Sequence, residues 1–140
     1  MSRLAKLLGE HAHLSVLVRR LGGMISADQA PLTAELEQLR QDLQMTLIAH
    51  LQAEDWLLYP DLLDSGDPKI VAVAGEFIAE MGDLARKFMD YSARWAMRPA
   101  TEDWAAFCSD TAIICDALSE RIEREDHDLY PLLWQLDRAA

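Results

Sequence analysis

The sequence is short of residues that interrupt helices. Six glycines and five prolines among 140 residues leave room for long uninterrupted elements. Cysteine is scarce too. Cys108 and Cys115 make no disulfide framework, and in a reducing compartment they are free thiols. They stand 115 − 108 = 7 residues apart. Two helical turns span about 10 Å, too far for a direct bond within a straight helix. Basic residues are also few. Lys plus Arg number 13 against 24 Asp plus Glu, a net charge of −11. Such a surface repels nucleic acid and anionic membrane faces, so neither is an expected partner. No apolar run approaches the roughly 18 residues of a spanning helix. In the N-terminal stretch, Glu10, His11 and His13 interrupt any apolar segment, which excludes the shape of a signal peptide. These features point to a cytoplasmic protein. A composition of 51% hydrophobic and 26% charged residues excludes disorder, and the length suits one domain over residues 1–140.

The few breakers divide the chain into four parts. Gly22-Gly23 closes the first, and a polar stretch follows to Pro31. Pro60 and Ser65-Gly66-Asp67-Pro68 close the second, and Met97 to Thr101 closes the third. Asp67 before Pro68 reads as a helix N-cap, and so does Thr101 before Glu102 and Asp103. Helices are expected at about 2–21, 31–60, 67–96 and 101–136. Each part carries an apolar stripe recurring every three or four residues. The stripes include Leu7, Leu14 and Val18; Leu39, Leu43 and Leu47; Phe77, Leu84 and Phe88; and Phe107, Ile114 and Leu118. Strand signals are absent. The expected fold is all-α, an antiparallel up-down-up-down four-helix bundle.

Polar groups interrupt these stripes near their middles: His11, His50, Glu54, Arg121 and Glu125. Unpaired buried charge is costly, so they must satisfy one another or an ion. Glu80 and Met81 compete for the core face of the third helix. Facing inward, Glu80 would be an additional candidate ligand; otherwise it is a solvated rim residue. His13 and His127 lie off the stripes and read as flank residues. Glu10-x-x-His13 has no second copy, which argues against a ferritin-like site. Tyr59 and Tyr130 read as aromatic packing near helix ends, each before a proline.

A repeat underlies the pattern. Glu54-Asp55 and Leu58-Tyr59-Pro60 align with Glu125-Asp126 and Leu129-Tyr130-Pro131 at an offset of 125 − 54 = 71. The first and third helices align at an offset of 81 − 11 = 70. The two halves keep the glutamate, while His50 aligns with Arg121 and His11 with Met81.

His11, His50-x-x-x-Glu54 followed by Leu58-Tyr59-Pro60, and Glu125 followed by Leu129-Tyr130-Pro131 resemble the hemerythrin-like, or HHE cation-binding, domain. The resemblance covers nearly the whole chain. It implies that His11 and His50 match histidines of one iron, and that Glu54 and Glu125 match carboxylates bridging two. The histidines of the second iron correspond here to Phe77, Met81 and Arg121, which counts against reversible O₂ carriage at a di-iron centre. Arg121 could take the place of that metal by forking onto a carboxylate. The expected cofactor is then one iron per chain, with zinc or manganese also suited to two nitrogen and two oxygen donors.

Three functions stay open. The first is a sensing or regulatory metal module responding to O₂, NO, peroxide or iron. Without an output domain in this sequence, it would work through a protein partner or a second copy. The second is a metal-free interaction protein whose His-Glu-Arg-Glu cluster is structural. The third is an oxidase or peroxide-consuming enzyme, disfavoured by the missing second-site histidines.

Overall fold

The computed structural model describes residues 2–27 and 33–139. Helix α1 spans Arg3–Ile25, α2 Thr33–Leu57, α3 Tyr59–Leu63 and α4 Pro68–Ala96. Helix α5 spans Trp104–Arg124 and passes through a π-helical turn, Glu125–Leu129, into α6, Tyr130–Ala139. The described residues are helical with no strand. Helices α2–α3 and α5–α6 each form one leg of the bundle, beside α1 and α4.

Side-chain caps open α1 and α4. Ser2 Oγ accepts from the Ala5 amide at 3.0 Å, and Asp67 Oδ1 accepts from Lys69 at 2.9 Å ahead of Pro68. Gly66 supplies the positive φ of 76° that the turn before Asp67 requires.

Four expected boundaries are corrected: the second helix does not run unbroken to residue 60 but breaks at Leu58 and resumes to Leu63, and three more follow. The first helix does not stop at Gly22-Gly23 but runs to Ile25. Each internal glycine costs about 1 kcal/mol, and packing of Met24 and Ile25 against the core offsets it. The helix closes at Ser26, whose hydroxyl donates to the Gly22 carbonyl at 2.8 Å. The last leg starts from Asp103, whose Oδ1 accepts from Ala106 at 3.1 Å, and not from Thr101. Thr101 instead sits in a 3₁₀ turn, Ala100–Asp103, that follows the extended Pro99. That leg continues to Ala139. The start expected near Pro31 lies outside the described residues.

The two prolines of the repeat act differently. Pro60 and Pro131 each lack the N–H that would bond four residues back. In the first copy the helix breaks at Leu58 and restarts as α3. In the second it widens instead, and the Tyr130 amide donates to the Glu125 carbonyl across the π turn.

The apolar stripes build two cores with a polar layer between them. One holds Leu14, Leu21, Leu43, Leu84, Phe88 and Phe107 among others. The other holds Leu7, Leu58, Leu62, Phe77, Leu129 and Leu133. Between them lie His11, His50, Glu54 and Glu125, each buried. Arg3 ties one end of the bundle to Asp61 and Asp137. At the other end the Arg40 guanidinium lies 5.6 Å from the Tyr91 ring centre and 5.5 Å from that of Phe107. No helix among the described residues is long and apolar enough to cross a membrane. Cys108 and Cys115 are unpaired.

Phe107 is fully buried and packs edge-on against Trp95, with ring centres 5.2 Å apart. Phe107→Ala is expected to lower unfolding free energy by about 3–5 kcal/mol, read from urea denaturation midpoints. A loss below about 1 kcal/mol would mean that this end of the core is not packed as described.

Candidate metal centre

The site is assembled from α1, α2 and the π turn. His11 points inward from α1 on the stripe of Leu7 and Leu14. His50 and Glu54 stand one turn apart on α2, and Glu125 opens the π turn. Each of these four residues offers one ligand atom, and the four atoms lie within 4.8 Å of one another.

Outer carboxylates orient the two imidazoles. His11 Nδ1 donates to Asp126 Oδ1 at 2.7 Å, and His50 Nδ1 donates to Glu10 Oε1 at 2.8 Å. With both Nδ1 protons committed, the Nε2 lone pairs face inward and stand 3.1 Å apart. His11 Nε2 also lies 2.9 Å from Glu125 Oε1 and 2.9 Å from the Tyr130 hydroxyl. The same hydroxyl donates to Glu54 Oε2 at 2.9 Å. His50 Nε2 is 3.4 Å from Glu54 Oε2 and 3.7 Å from Glu125 Oε1.

With both imidazoles neutral, this arrangement is short of protons. Two imidazole lone pairs and two carboxylates converge, with one phenolic proton among them. Among the described residues, Glu54 Oε1 and Glu125 Oε2 are buried without a hydrogen-bond partner. A cation resolves both deficits, so the residues present fit a metal ion. Without metal, the same surroundings displace the titrations. Burial opposes a charged His50, but the hydrogen bonds it donates to Glu125 and Glu54 outweigh it and raise the imidazole to about 10. Burial drives Glu54 up to about 7, with the negative charge of Glu125 adding to it. Burial also acts upward on Glu125, but hydrogen bonds from His11 and His50 win and hold it below the usual carboxylate range.

The hemerythrin HHE cation-binding domain family model matches residues 2–133. The chain belongs to that family. Comparisons with curated proteins and with solved structures find no match.

The half of the bundle around α4 and Arg121 is built differently from the clustered half. Phe77 and Met81 face the interior of the bundle and are buried. Glu80 points outward, its side chain 43% exposed, and is not among the clustered carboxylates. The expected fork of Arg121 onto a site carboxylate is not made. Among the described residues, its ion-pair partner is Glu80, 2.6 Å from Nη2. Arg124 meets the same Glu80 oxygen at 2.7 Å. Both guanidinium carbons lie 5.1 Å from the Phe77 ring centre. The physical reason is reach: the stem of Arg121 is buried, but its Nη2 extends to the rim to meet Glu80, while among the described residues the buried Nη1 has no partner. Glu80 is held below its usual carboxyl value by the hydrogen bonds of Arg121, then Arg124. A cleft of about 240 Å³ between α2 and α4, lined by Leu51, Glu54, Tyr59, Met81 and Gly82, reaches Glu54 from this side.

His13 and His127 are exposed. Three residues around the cluster escape a reading of the apolar stripes. Glu10 and Asp126 are the sequence neighbours of His11 and Glu125, yet Glu10 supports His50 while Asp126 supports His11. An acid beside His11 and another beside Glu125 are the only signal the sequence offers for them. Tyr130 lies five residues after Glu125, about 140° around an ordinary α-helix. The π turn changes that phase, and the Tyr130 hydroxyl meets His11 and Glu54.

Arg121→Met is expected to cost about 1–2 kcal/mol in chemical denaturation, the worth of a half-exposed ion pair plus a cation–π contact. A loss of about 3–5 kcal/mol would show that the guanidinium neutralises Glu54 or Glu125 after all.

Proposed function

We propose that this HHE-family chain holds one divalent transition-metal ion, iron in the physiological case, through His11, His50, Glu54 and Glu125. It then serves as a sensing or regulatory module and not as an O₂ carrier. One observation carries the reading: two Nδ1-anchored imidazoles and two buried carboxylates converge, with orphaned oxygens, between two apolar cores. Two nitrogens and two oxygens suit Fe²⁺, Zn²⁺ or Mn²⁺. Bound iron would supply a redox-active centre with exchangeable coordination positions.

The chain's own residues account for the remainder. Asp126 and Glu10 fix which nitrogen of each histidine faces inward and raise its basicity. The apolar cores on either side keep bulk water away from the carboxylates. The cleft beside Glu54 offers small O₂, NO or peroxide molecules a way in. The Phe77, Met81 and Arg121 positions supply no second set of imidazoles, which favours a single ion and argues against reversible O₂ carriage. A change in ligation at Glu54 or His50 would pull on α2. That helix carries Trp56 at 83% exposure, a surface on which a partner or second copy could register the change. The unpaired thiols are compatible with a reducing cytoplasm.

Elemental analysis of anaerobically purified protein, with and without iron supplementation, is expected to find about one metal ion per chain, lost in His50→Ala. Two ions per chain would contradict the single site. None under any condition would overturn the reading in favour of a metal-free interaction protein. Asp126→Ala is expected to keep the stoichiometry and weaken metal affinity about 10–100-fold in a competitive chelator titration. Unchanged affinity would remove Asp126 from the supporting role given to it.

A further inference from the structure

We propose that Tyr130 is a fifth ligand of the centre, its phenolic oxygen binding the same ion as His11, His50, Glu54 and Glu125. The inference rests on the metal reading above and adds a donor type that neither the stripes nor the His-x-x-x-Glu spacing contains.

Position carries it first. The Tyr130 oxygen stands 2.9 Å from His11 Nε2 and 2.9 Å from Glu54 Oε2. Those atoms belong to two different ligands on two different helices, so the phenol lies among the donors and not behind one of them. Glu10 and Asp126 stand in contrast, each touching a histidine only through its outward Nδ1.

Spacing carries it next. Donors about 2.1 Å from one ion and at right angles lie about 3.0 Å apart. His11 Nε2 has three neighbours at such separations: His50 Nε2 at 3.1 Å, Glu125 Oε1 at 2.9 Å and the Tyr130 oxygen at 2.9 Å. By this measure the phenol occupies the same kind of position as the other two.

The backbone supplies the third argument. The π turn at Glu125–Leu129 inserts the residue that aims Tyr130 at the cluster. The ring is then held against His11, with centres 4.7 Å apart and planes 14° from parallel. Such turns are frequent at functional sites. The repeat provides an internal control. Tyr59 occupies the matching place after Glu54, but its helix breaks at Leu58, and its buried hydroxyl has no partner among the described residues. The second half therefore carries a backbone feature that the first lacks, and its effect is to deliver one oxygen to the site.

Ligation breaks the phenolic O–H bond and forms an oxygen–metal bond. The proton passes to solvent, and no electron is transferred. A phenolate is a hard anionic donor and favours ferric over ferrous iron.

The full chain loaded with ferric iron provides the test. A tyrosinate bound to Fe³⁺ gives an intense visible charge-transfer band and resonance-enhanced phenolate ring vibrations. Wild type is expected to show both. Tyr130→Phe is expected to lose both while retaining helical circular dichroism and bound iron. The chain has three tyrosines, so Tyr59→Phe and Tyr91→Phe complete the assignment even if Tyr130→Phe fails to fold. The signal is expected to survive in both. Iron-loaded wild type without phenolate vibrations would overturn the proposal while leaving the four-residue site intact. Loss of the signal in Tyr59→Phe or Tyr91→Phe would overturn it as well. Wild type that takes up no iron would remove the proposal together with the metal reading beneath it.

Discussion

Glu54 and Glu125 sit out of water at the centre of the bundle, on facing legs, with apolar cores on both sides. Two buried carboxylates repel each other and have lost their hydration, a cost of several kcal/mol for each charge left unpaired. The rest of the structure depends on positive charge reaching this one layer. The two imidazoles lie there, and their outer carboxylates turn the Nε2 atoms inward. Arg121 could have served, but its charge goes to Glu80 at the rim. Without metal, the neighbouring carboxylates favour a charged His50, which brings a proton to the layer. A dication does so while also meeting the orphaned carboxylate oxygens.

The internal repeat explains why the layer is lopsided. Both halves keep a glutamate followed by Leu-Tyr-Pro, and both prolines disrupt the helix that holds that glutamate. One disruption is a break at Leu58 and the other a widened turn at Glu125–Leu129. The break leaves the Tyr59 hydroxyl without a partner among the described residues, whereas the widened turn places Tyr130 against His11 and Glu54. Toward α4, the buried Phe77 and Met81 put apolar atoms where the repeat aligns Met81 with His11. The centre is thus crowded with donors toward α1 and bordered by a cleft toward α4.

The four legs were legible because apolar residues recur at the helical period on each. The four clustered ligand candidates were legible for the complementary reason, since a charged side chain on an apolar stripe has few places to go. Helix ends were less so. Gly22-Gly23 looks like a stop in isolation, but packing of Met24 and Ile25 carries the helix past it. Thr101 looks like a cap, but the extended Pro99 diverts the chain into a 3₁₀ turn first. The partner of Arg121 was hidden because a guanidinium reaches across a range of positions that periodicity does not resolve. Tyr130 was hidden because an ordinary helical period points it away from Glu125, and nothing in the residue pattern announces a π turn.

The most direct test of a centre that needs a cation is unfolding of the full chain by denaturant across a range of free Fe²⁺ or Zn²⁺ under anaerobic conditions. A site present in the folded chain and absent from the unfolded one adds about 1.4 kcal/mol of stability for each tenfold excess of metal over its dissociation constant. The account predicts that rise, and its reversal by a chelator. Unfolding curves that superimpose at every metal concentration would contradict it.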